Sequence, residues 1–78
     1  MNLKTFGIVR DITGNATVTL SDQTATTVGS LKDTLLTQYP ALADIGTFRL
    51  AVNEEFADDD DWVQPEDEVA IIPPVSGG

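Results

Sequence analysis

A single amphipathic helix is the feature that most constrains the fold of this chain of 78 residues. Thr27 is a favourable N-cap and Pro40 stops the pattern, so the helix is predicted to run to about Tyr39. Its apolar residues recur on one side and form a stripe: Val28, Leu31, Leu35 and Tyr39. In a chain too short for a second domain, this stripe has to be buried against a sheet.

Strand patterns flank the helix on both sides. An N-terminal strand, a turn and a second strand predict a hairpin before the helix, and two more strands follow it. These segments are 3–10, the turn 13–15, 16–20, 48–53 and 69–72. Pro73 and Pro74 end the last strand because neither has an N–H to donate. The order predicts an α+β domain over 1–72, a ubiquitin-like β-grasp whose mixed sheet is crossed by one main helix, with a tail over 73–78.

The composition excludes several classes of function. The chain has no cysteine and no histidine, which removes thiolate nucleophiles, imidazole acid–base catalysis, disulfides and the usual zinc sites; no metal site is expected. The net charge of −9 disfavours nucleic acid and anionic membrane as partners and favours a basic protein. The sequence shows no signal-peptide pattern and no long apolar run, so a cytoplasmic location is expected.

The acidic run Asp58–Asp61 is predicted to form a solvated loop that can steer docking onto a basic partner. The alternative is a calcium or magnesium loop, but the alternating ligands and the turn glycine of such loops are missing. Trp62, which follows the run, is expected to cover an edge of the small core, with ligand stacking as the alternative.

Strand parity predicts an exposed apolar face. If the inward set is Leu3, Thr5, Gly7 and Val9, the outward set is Lys4, Phe6, Ile8 and Arg10. The same reasoning places Val69 and Ile71 inward and leaves Ala70 and Ile72 outward. A small domain that exposes Phe6, Ile8 and Ile72 together is predicted to use them in a protein interface. The opposite parity, which makes these residues core, is the alternative.

The ending Pro73-Pro74-Val75-Ser76-Gly77-Gly78 is the most informative segment. Two prolines favour an extended exit, and two glycines without a Cβ can enter a narrow tunnel. The carboxylate of Gly78 can then attack the α-phosphate of ATP in another protein's site and form an acyl-adenylate. Sulfide would convert this adenylate into a thiocarboxylate, and an amine would convert it into an amide. A frayed terminus without function is the alternative.

The run Asp67–Gly78, with Ala51-Val52-Asn53, Phe6 and Val9-Arg10-Asp11, resembles the MoaD-type small subunits of molybdopterin synthase, a ubiquitin-like sulfur-carrier family. The resemblance implies that an E1-like adenylating enzyme uses ATP to activate Gly78, and that a sulfur donor protein forms the thiocarboxylate. It also implies that sulfur passes to cyclic pyranopterin monophosphate in the active site of the large subunit, during molybdenum cofactor biosynthesis. The chain itself would bind no cofactor and would be a non-catalytic subunit of a heterotetramer.

The resulting site prediction has a reactive end and a partner interface. The reactive end is Gly78 with Gly77. The interface residues are Phe6, Ile8, Arg10, Phe56, Ile72, Pro73, Pro74, Val75 and Ser76. Three alternatives remain: a protein modifier or tRNA-thiolation carrier with the same Gly78 chemistry, a carrier for thiamin or cysteine synthesis, and a binding module with an inert tail.

Overall fold

The computed structural model describes residues 1–20 and 24–74. Its strands are β1 Asn2–Thr5, β2 Thr17–Thr19, β3 Thr26–Thr27, β4 Arg49–Val52, β5 Glu55–Phe56, β6 Trp62–Val63 and β7 Val69–Ile72. Its helices are α1 Gly7–Thr13, α2 Val28–Gln38 and a 3₁₀ helix over Pro40–Ile45. No helix in these two ranges is long and apolar enough to cross a membrane.

The strands form a five-stranded mixed sheet and a separate two-stranded pair. The sheet has the order β2-β1-β7-β4-β5, and β3 pairs with β6. β1 and β7 lie parallel at the centre, and the other pairs are antiparallel. Helix α2 buries its apolar side in the same core as the inward residues of β1, β4 and β7. This is the predicted β-grasp, because one main helix packs across a mixed sheet.

Helix α2 forms as its sequence predicts. The Thr27 side chain accepts a hydrogen bond from the Ser30 N–H at 3.3 Å, which satisfies one of the free donors of the first turn. The stripe residues Val28, Leu31 and Leu35 have no exposed surface. Tyr39 is the C-cap and is half-buried. The helix was therefore predictable from local signals alone.

The prediction of a strand over 3–10 is wrong beyond Thr5. The backbone leaves the strand at Gly7, whose φ is +53°, and enters helix α1. The helix ends at Gly14, a left-handed C-cap whose N–H donates to the Arg10 carbonyl at 2.8 Å. β1 and β2 still pair as an antiparallel ladder, but a helix rather than a tight turn joins them. A segment this short fits both a period of two and a helical period, so periodicity could not separate them.

The predicted exposure pattern nevertheless holds at most positions. Leu3, Thr5 and Val9 are buried, and Lys4, Phe6, Ile8 and Arg10 are exposed. Gly7 is exposed rather than inward, because it begins α1 instead of continuing β1. In β7 the alternation is as predicted, with Val69 and Ile71 buried and Ala70 and Ile72 half-buried on the other face. The alternative parity is wrong.

The acidic loop is exposed as predicted, but its backbone also accepts hydrogen bonds from the N-terminal N–H groups of α2. The Val28 N–H donates to the Asp61 carbonyl at 2.9 Å, and the Gly29 N–H donates to the Asp59 carbonyl at 3.0 Å. The Asp59 carboxylate lies 2.8 Å from the Lys32 ammonium. These contacts satisfy helix donors and place negative charge near the positive end of the helix dipole. The run is therefore part of the fold.

The expectation for Trp62 is wrong, because this side chain does not cover the core. Its exposed fraction is 66%, whereas its neighbour Val63 is fully buried. Trp62 pairs with Thr27 in the β3–β6 ladder, and Val63 takes the inward position. Since successive side chains of a strand point to opposite faces, burying Val63 turns Trp62 towards solvent.

Candidate docking face and tail root

The face of the sheet that points away from α2 carries a shallow apolar groove of about 400 Å³. Strand register builds it, because Ala51 pairs with Phe56 on one side and with Ala70 on the other. Phe6 and Phe56 are 49% and 59% exposed, an unusual degree for large aromatic side chains of a small domain. The full lining is Lys4, Phe6, Ala51, Glu54, Phe56, Glu68, Ala70 and Ile72. We call this surface the open face.

Two basic residues lie on the open face. The guanidinium of Arg49 lies 4.1 Å from the centroid of the Phe56 ring, a cation–π contact. The ammonium of Lys4 pairs with the Glu68 carboxylate. The hydrogen bond that Lys4 donates to Glu68, together with the charge of that carboxylate, raises the pKa of Lys4 above its ordinary value. The open face thus carries charges of both signs, because Lys4 and Arg49 lie on the same face as Glu54 and Glu68.

The tail leaves the domain at the end of β7, where Ile72 pairs with Arg49. A Cβ placed on Gly7 would lie 3.8 Å from Pro73 Cγ, and one on Gly46 would lie 3.8 Å from Pro74 Cγ. Both glycines have positive φ, +53° and +91°. Pro73 and Pro74 also line a second groove of about 410 Å³ with Ile8, Asp44 and Ile45. We call this part of the molecule the tail root.

The structure brings most of the predicted interface residues into these two adjoining regions. Phe6, Phe56 and Ile72 line the open face. Ile8, Pro73 and Pro74 line the tail root. Arg10 is exposed on α1 and lines neither groove. Val75, Ser76, Gly77 and Gly78 lie outside the described residues.

Sequence reasoning missed the residues that shape the edge of the open face. Asn53 and Glu54 form the two-residue turn between β4 and β5, with φ of +52° and +72°. The Asn53 carboxamide oxygen accepts from the Glu68 N–H at 3.0 Å, which ties this turn to the start of β7. An Asn before a polar residue, between two apolar segments, is a hairpin signal that could have revealed this turn. The hairpin would in turn have brought Arg49 close to Phe56, with which it makes the cation–π contact.

Residues 3–78 match the model of the ThiS family. The chain belongs to the ThiS family. The match extends over Gly77 and Gly78, so the family pattern includes the end of the tail.

One curated relative confirms the resemblance to MoaD-type sulfur carriers. The molybdopterin synthase sulfur carrier subunit of Arabidopsis thaliana is 39% identical over 74 residues, which cover 94% of this ThiS-family chain and 77% of the relative.

Solved structures confirm the ubiquitin-like fold. SAMP1 of Haloferax volcanii, a small archaeal modifier protein, superimposes with a TM-score of 0.79 and 29% identity, over 99% of this chain and 97% of that one. A complex of subunits 1 and 2 of the molybdopterin-converting factor of Helicobacter pylori contains a chain with a TM-score of 0.65. Its identity is 18%, over 99% of this chain and 96% of that one, so it shows the fold alone.

Proposed function

We propose that this ThiS-family protein is a sulfur carrier for molybdenum cofactor biosynthesis, and that the carboxyl group of Gly78 carries the sulfur. The observation that supports this most directly is the family match, which runs through Gly77 and Gly78. A relative that is 39% identical is named as a molybdopterin synthase sulfur carrier subunit. A Pro73-Pro74 exit from a folded domain followed by two glycines is the sequence such a carrier needs.

The proposed chemistry has two steps on one carbonyl. The Gly78 carboxylate attacks the α-phosphate of ATP in an E1-like adenylating enzyme, which forms the acyl-adenylate and releases pyrophosphate. Sulfide delivered by a sulfur donor protein then attacks the carbonyl carbon, AMP leaves, and Gly78 ends as a thiocarboxylate. ATP is a substrate of the partner enzyme, and the chain supplies no cofactor of its own.

The sulfur acceptor is proposed to be cyclic pyranopterin monophosphate in the active site of the large molybdopterin synthase subunit. The open face is suited to hold that subunit, since it exposes Phe6 and Phe56 beside the root of the tail. Full burial of an exposed aromatic side chain is worth roughly 1.5–3 kcal/mol, so burying the exposed half of Phe6 or Phe56 is worth about half of that. The Helicobacter pylori fold neighbour is described as a complex of subunits 1 and 2, and we propose the corresponding assembly here, as a heterotetramer.

The amino-acid composition agrees with a role in which the partner subunit, rather than this chain, provides the catalytic side chains. The chain lacks histidine and cysteine, the side chains most used for acid–base and nucleophilic catalysis. We therefore propose that the large subunit carries the catalytic side chains and that this chain delivers the sulfur.

A reconstituted reaction tests the proposal. The protein is purified, its intact mass establishes that it ends at Gly78, and it is incubated with an adenylating enzyme, ATP and a sulfur source. The expected product has one oxygen of the Gly78 carboxyl replaced by sulfur, and it supports molybdopterin formation when the large subunit and the pterin precursor are added.

Two variants serve as controls for this reaction. Deletion of Gly78 and addition of one residue after Gly78 are both expected to abolish molybdopterin formation while leaving the fold unchanged by circular dichroism. Molybdopterin formation at the normal rate by either variant would exclude Gly78 as the sulfur carrier.

The second candidate function is protein modification. It is favoured by the match to SAMP1, which is named as a small archaeal modifier protein. In that case an amine of a target lysine takes the activated carbonyl of Gly78 and forms an isopeptide bond. Mass spectrometry of protein from its native cell separates the two, because a modifier leaves Gly78 on lysine side chains and a carrier leaves a thiocarboxylate.

A further inference from the structure

A second groove with aromatic residues in its lining adjoins the open face and shares Phe56 with it. Trp62 and Phe56 line it together with the carboxylates of Glu55, Asp61 and Asp67, and its volume is about 330 Å³. We call it the Trp62 groove. Trp62 is the most exposed large hydrophobic residue of the described chain, at 66%, and Phe56 follows at 59%. Two exposed aromatic side chains in one concavity mark a contact surface rather than scattered exposure.

The groove is lined by three acidic residues, and the groups that donate hydrogen bonds to Asp61 and Asp67 do not neutralise their charge. Asp67 accepts hydrogen bonds from the Gln64 N–H and the Asn53 amide, and Asp61 accepts from the Asp58 N–H. These donors are neutral, so they orient the carboxylates without cancelling their charges. The ion pairs found in residues 1–20 and 24–74 are Lys4–Glu68 and Lys32–Asp59, and neither reaches the groove.

An aromatic ring beside fixed carboxylates is complementary to a guanidinium group. Arginine stacks on aromatic faces and donates paired hydrogen bonds to carboxylates in the same plane, whereas lysine does neither as well. The protein already has one of these two interactions, the stacking of a guanidinium on an aromatic ring, at the open face, where Arg49 lies 4.1 Å from the centre of the Phe56 ring. Trp is the better cation–π partner, and the ring of Trp62 is the more exposed of the two.

The backbone of Trp62 is held in place by its neighbours. Its backbone pairs with Thr27 in the β3–β6 ladder, and the next residue, Val63, is fully buried in the core. The neighbouring Asp61 carbonyl accepts the Val28 N–H at 2.9 Å. A contact residue whose backbone is held this way loses little backbone entropy when a partner binds.

We propose that the Trp62 groove is a docking site for an arginine side chain presented by a protein partner, and that it is separate from the tail root. β4 shows the separation, because its Arg49 end pairs with Ile72 at the tail root and its Val52 end borders the groove. These ends are roughly 10 Å apart along the strand. The proposal does not depend on the Gly78 chemistry, since a carrier, a modifier or a module with an inert tail would each retain this site.

The single tryptophan of the chain makes the test direct, because all tryptophan emission comes from Trp62. The full chain is titrated with the blocked peptide acetyl-Arg-Gly-Arg-amide and, separately, with its lysine counterpart. We expect a saturable change of Trp62 emission with the arginine peptide, and a binding constant at least about threefold weaker with the lysine peptide.

Two variants with the same change of charge separate this site from general attraction to an acidic protein. Glu55→Gln removes a carboxylate of the groove, and Glu66→Gln removes one outside its lining. We expect Glu55→Gln to weaken the arginine peptide about fivefold and Glu66→Gln to weaken it less than about twofold. Equal weakening by the two variants, or emission that rises without saturation, would show non-specific attraction and overturn the proposal.

A third variant tests the aromatic ring itself. Trp62→Leu keeps an apolar side chain but removes the indole, so binding is followed by backbone amide NMR shifts of residues 52–57. Loss of the arginine-induced shifts with an otherwise unchanged spectrum is expected. Unchanged shifts in this variant would overturn the proposal. Deletion of Gly78 should leave peptide binding intact, so a failed sulfur-transfer assay and a failed docking assay remain distinguishable.

Discussion

Pro74 packs on Gly46, with its Cγ 3.8 Å from the position that a Cβ on Gly46 would occupy. Pro73 has the same relationship to Gly7. Each proline therefore lies over a backbone that carries no side chain and has a positive φ, which favours glycine. These two contacts contribute to the direction in which Pro73 and Pro74 leave the sheet, because proline has little freedom of its own.

The first prediction uses Gly7 and Gly14, which both have positive φ, +53° and +75°. Asn tolerates this conformation better than other residues with a side chain, so both Gly7→Asn and Gly14→Asn should fold, at a cost of about 1 kcal/mol or less. Only Gly7 lies under Pro73, whereas a Cβ on Gly14 meets nothing within 4 Å. Gly7→Asn should therefore shift the NMR signals of Pro73 and slow sulfur transfer, and Gly14→Asn should do neither. Equal transfer rates in the two variants would contradict this role of the tail root.

The second prediction concerns Glu54, which has φ of +72° in the turn between β4 and β5. A side chain in the left-handed region costs roughly 1–2 kcal/mol, and Asn-Gly is the preferred pair for this type of turn. Glu54→Gly should raise the free energy of unfolding by about 1 kcal/mol, measured by urea denaturation. Glu55→Gly is the control, because Glu55 lies in β5, where glycine is expected to lower that free energy by about 0.5–1 kcal/mol. A loss of stability in Glu54→Gly would mean that the turn is not strained.

The third prediction separates the open face from the core. Phe6 is 49% exposed, so Phe6→Ala should change the melting temperature little and weaken binding to the large subunit, measured by calorimetry. Leu31 has no exposed surface, and Leu31→Ala should lower the free energy of unfolding by about 2–5 kcal/mol through the cavity it leaves. If Phe6→Ala instead destabilises the fold and leaves binding unchanged, the open face is not the interface.

The fourth prediction concerns the acidic loop Asp58–Asp61, in which two of the four carboxylates make specific contacts. Asp59 pairs with Lys32, and Asp61 accepts the Asp58 N–H at 2.8 Å. The double variant Asp58→Asn with Asp60→Asn removes charge and keeps both of these contacts. It should slow association with a basic partner at low salt, with the difference fading as ionic strength rises, because screening removes long-range attraction.

Asp61→Ala is the structural counterpart of that experiment. It removes the acceptor for the Asp58 N–H, so it should lower the free energy of unfolding by about 1 kcal/mol, as the loss of a comparable side-chain cap does. The double variant should leave that free energy nearly unchanged. Association rates of the double variant that equal those of the parent at every ionic strength would exclude electrostatic steering by this loop.

Helix α2 and strand β7 show what local sequence can decide. Thr27 satisfies a helix donor within three residues of itself, and the stripe of Val28, Leu31 and Leu35 needs only the helical period to lie on one side. In β7 the alternation of buried Val69 and Ile71 with outward Ala70 and Ile72 follows from the geometry of any strand. These interactions join residues that are close together in the sequence, so the sequence pattern alone could predict them.

The sequence by itself therefore determined the β-grasp order, the main helix, the exposure of Phe6 and the glycine end that the family match covers. Tertiary structure decided that the chain after Thr5 becomes α1, that the acidic loop closes α2, and that Trp62 faces solvent. The last two outcomes depend on contacts between segments far apart in the chain, such as Gly29 with Asp59 and Thr27 with Trp62. Local propensity is nearly balanced at such positions, and the packing of distant segments then selects the conformation.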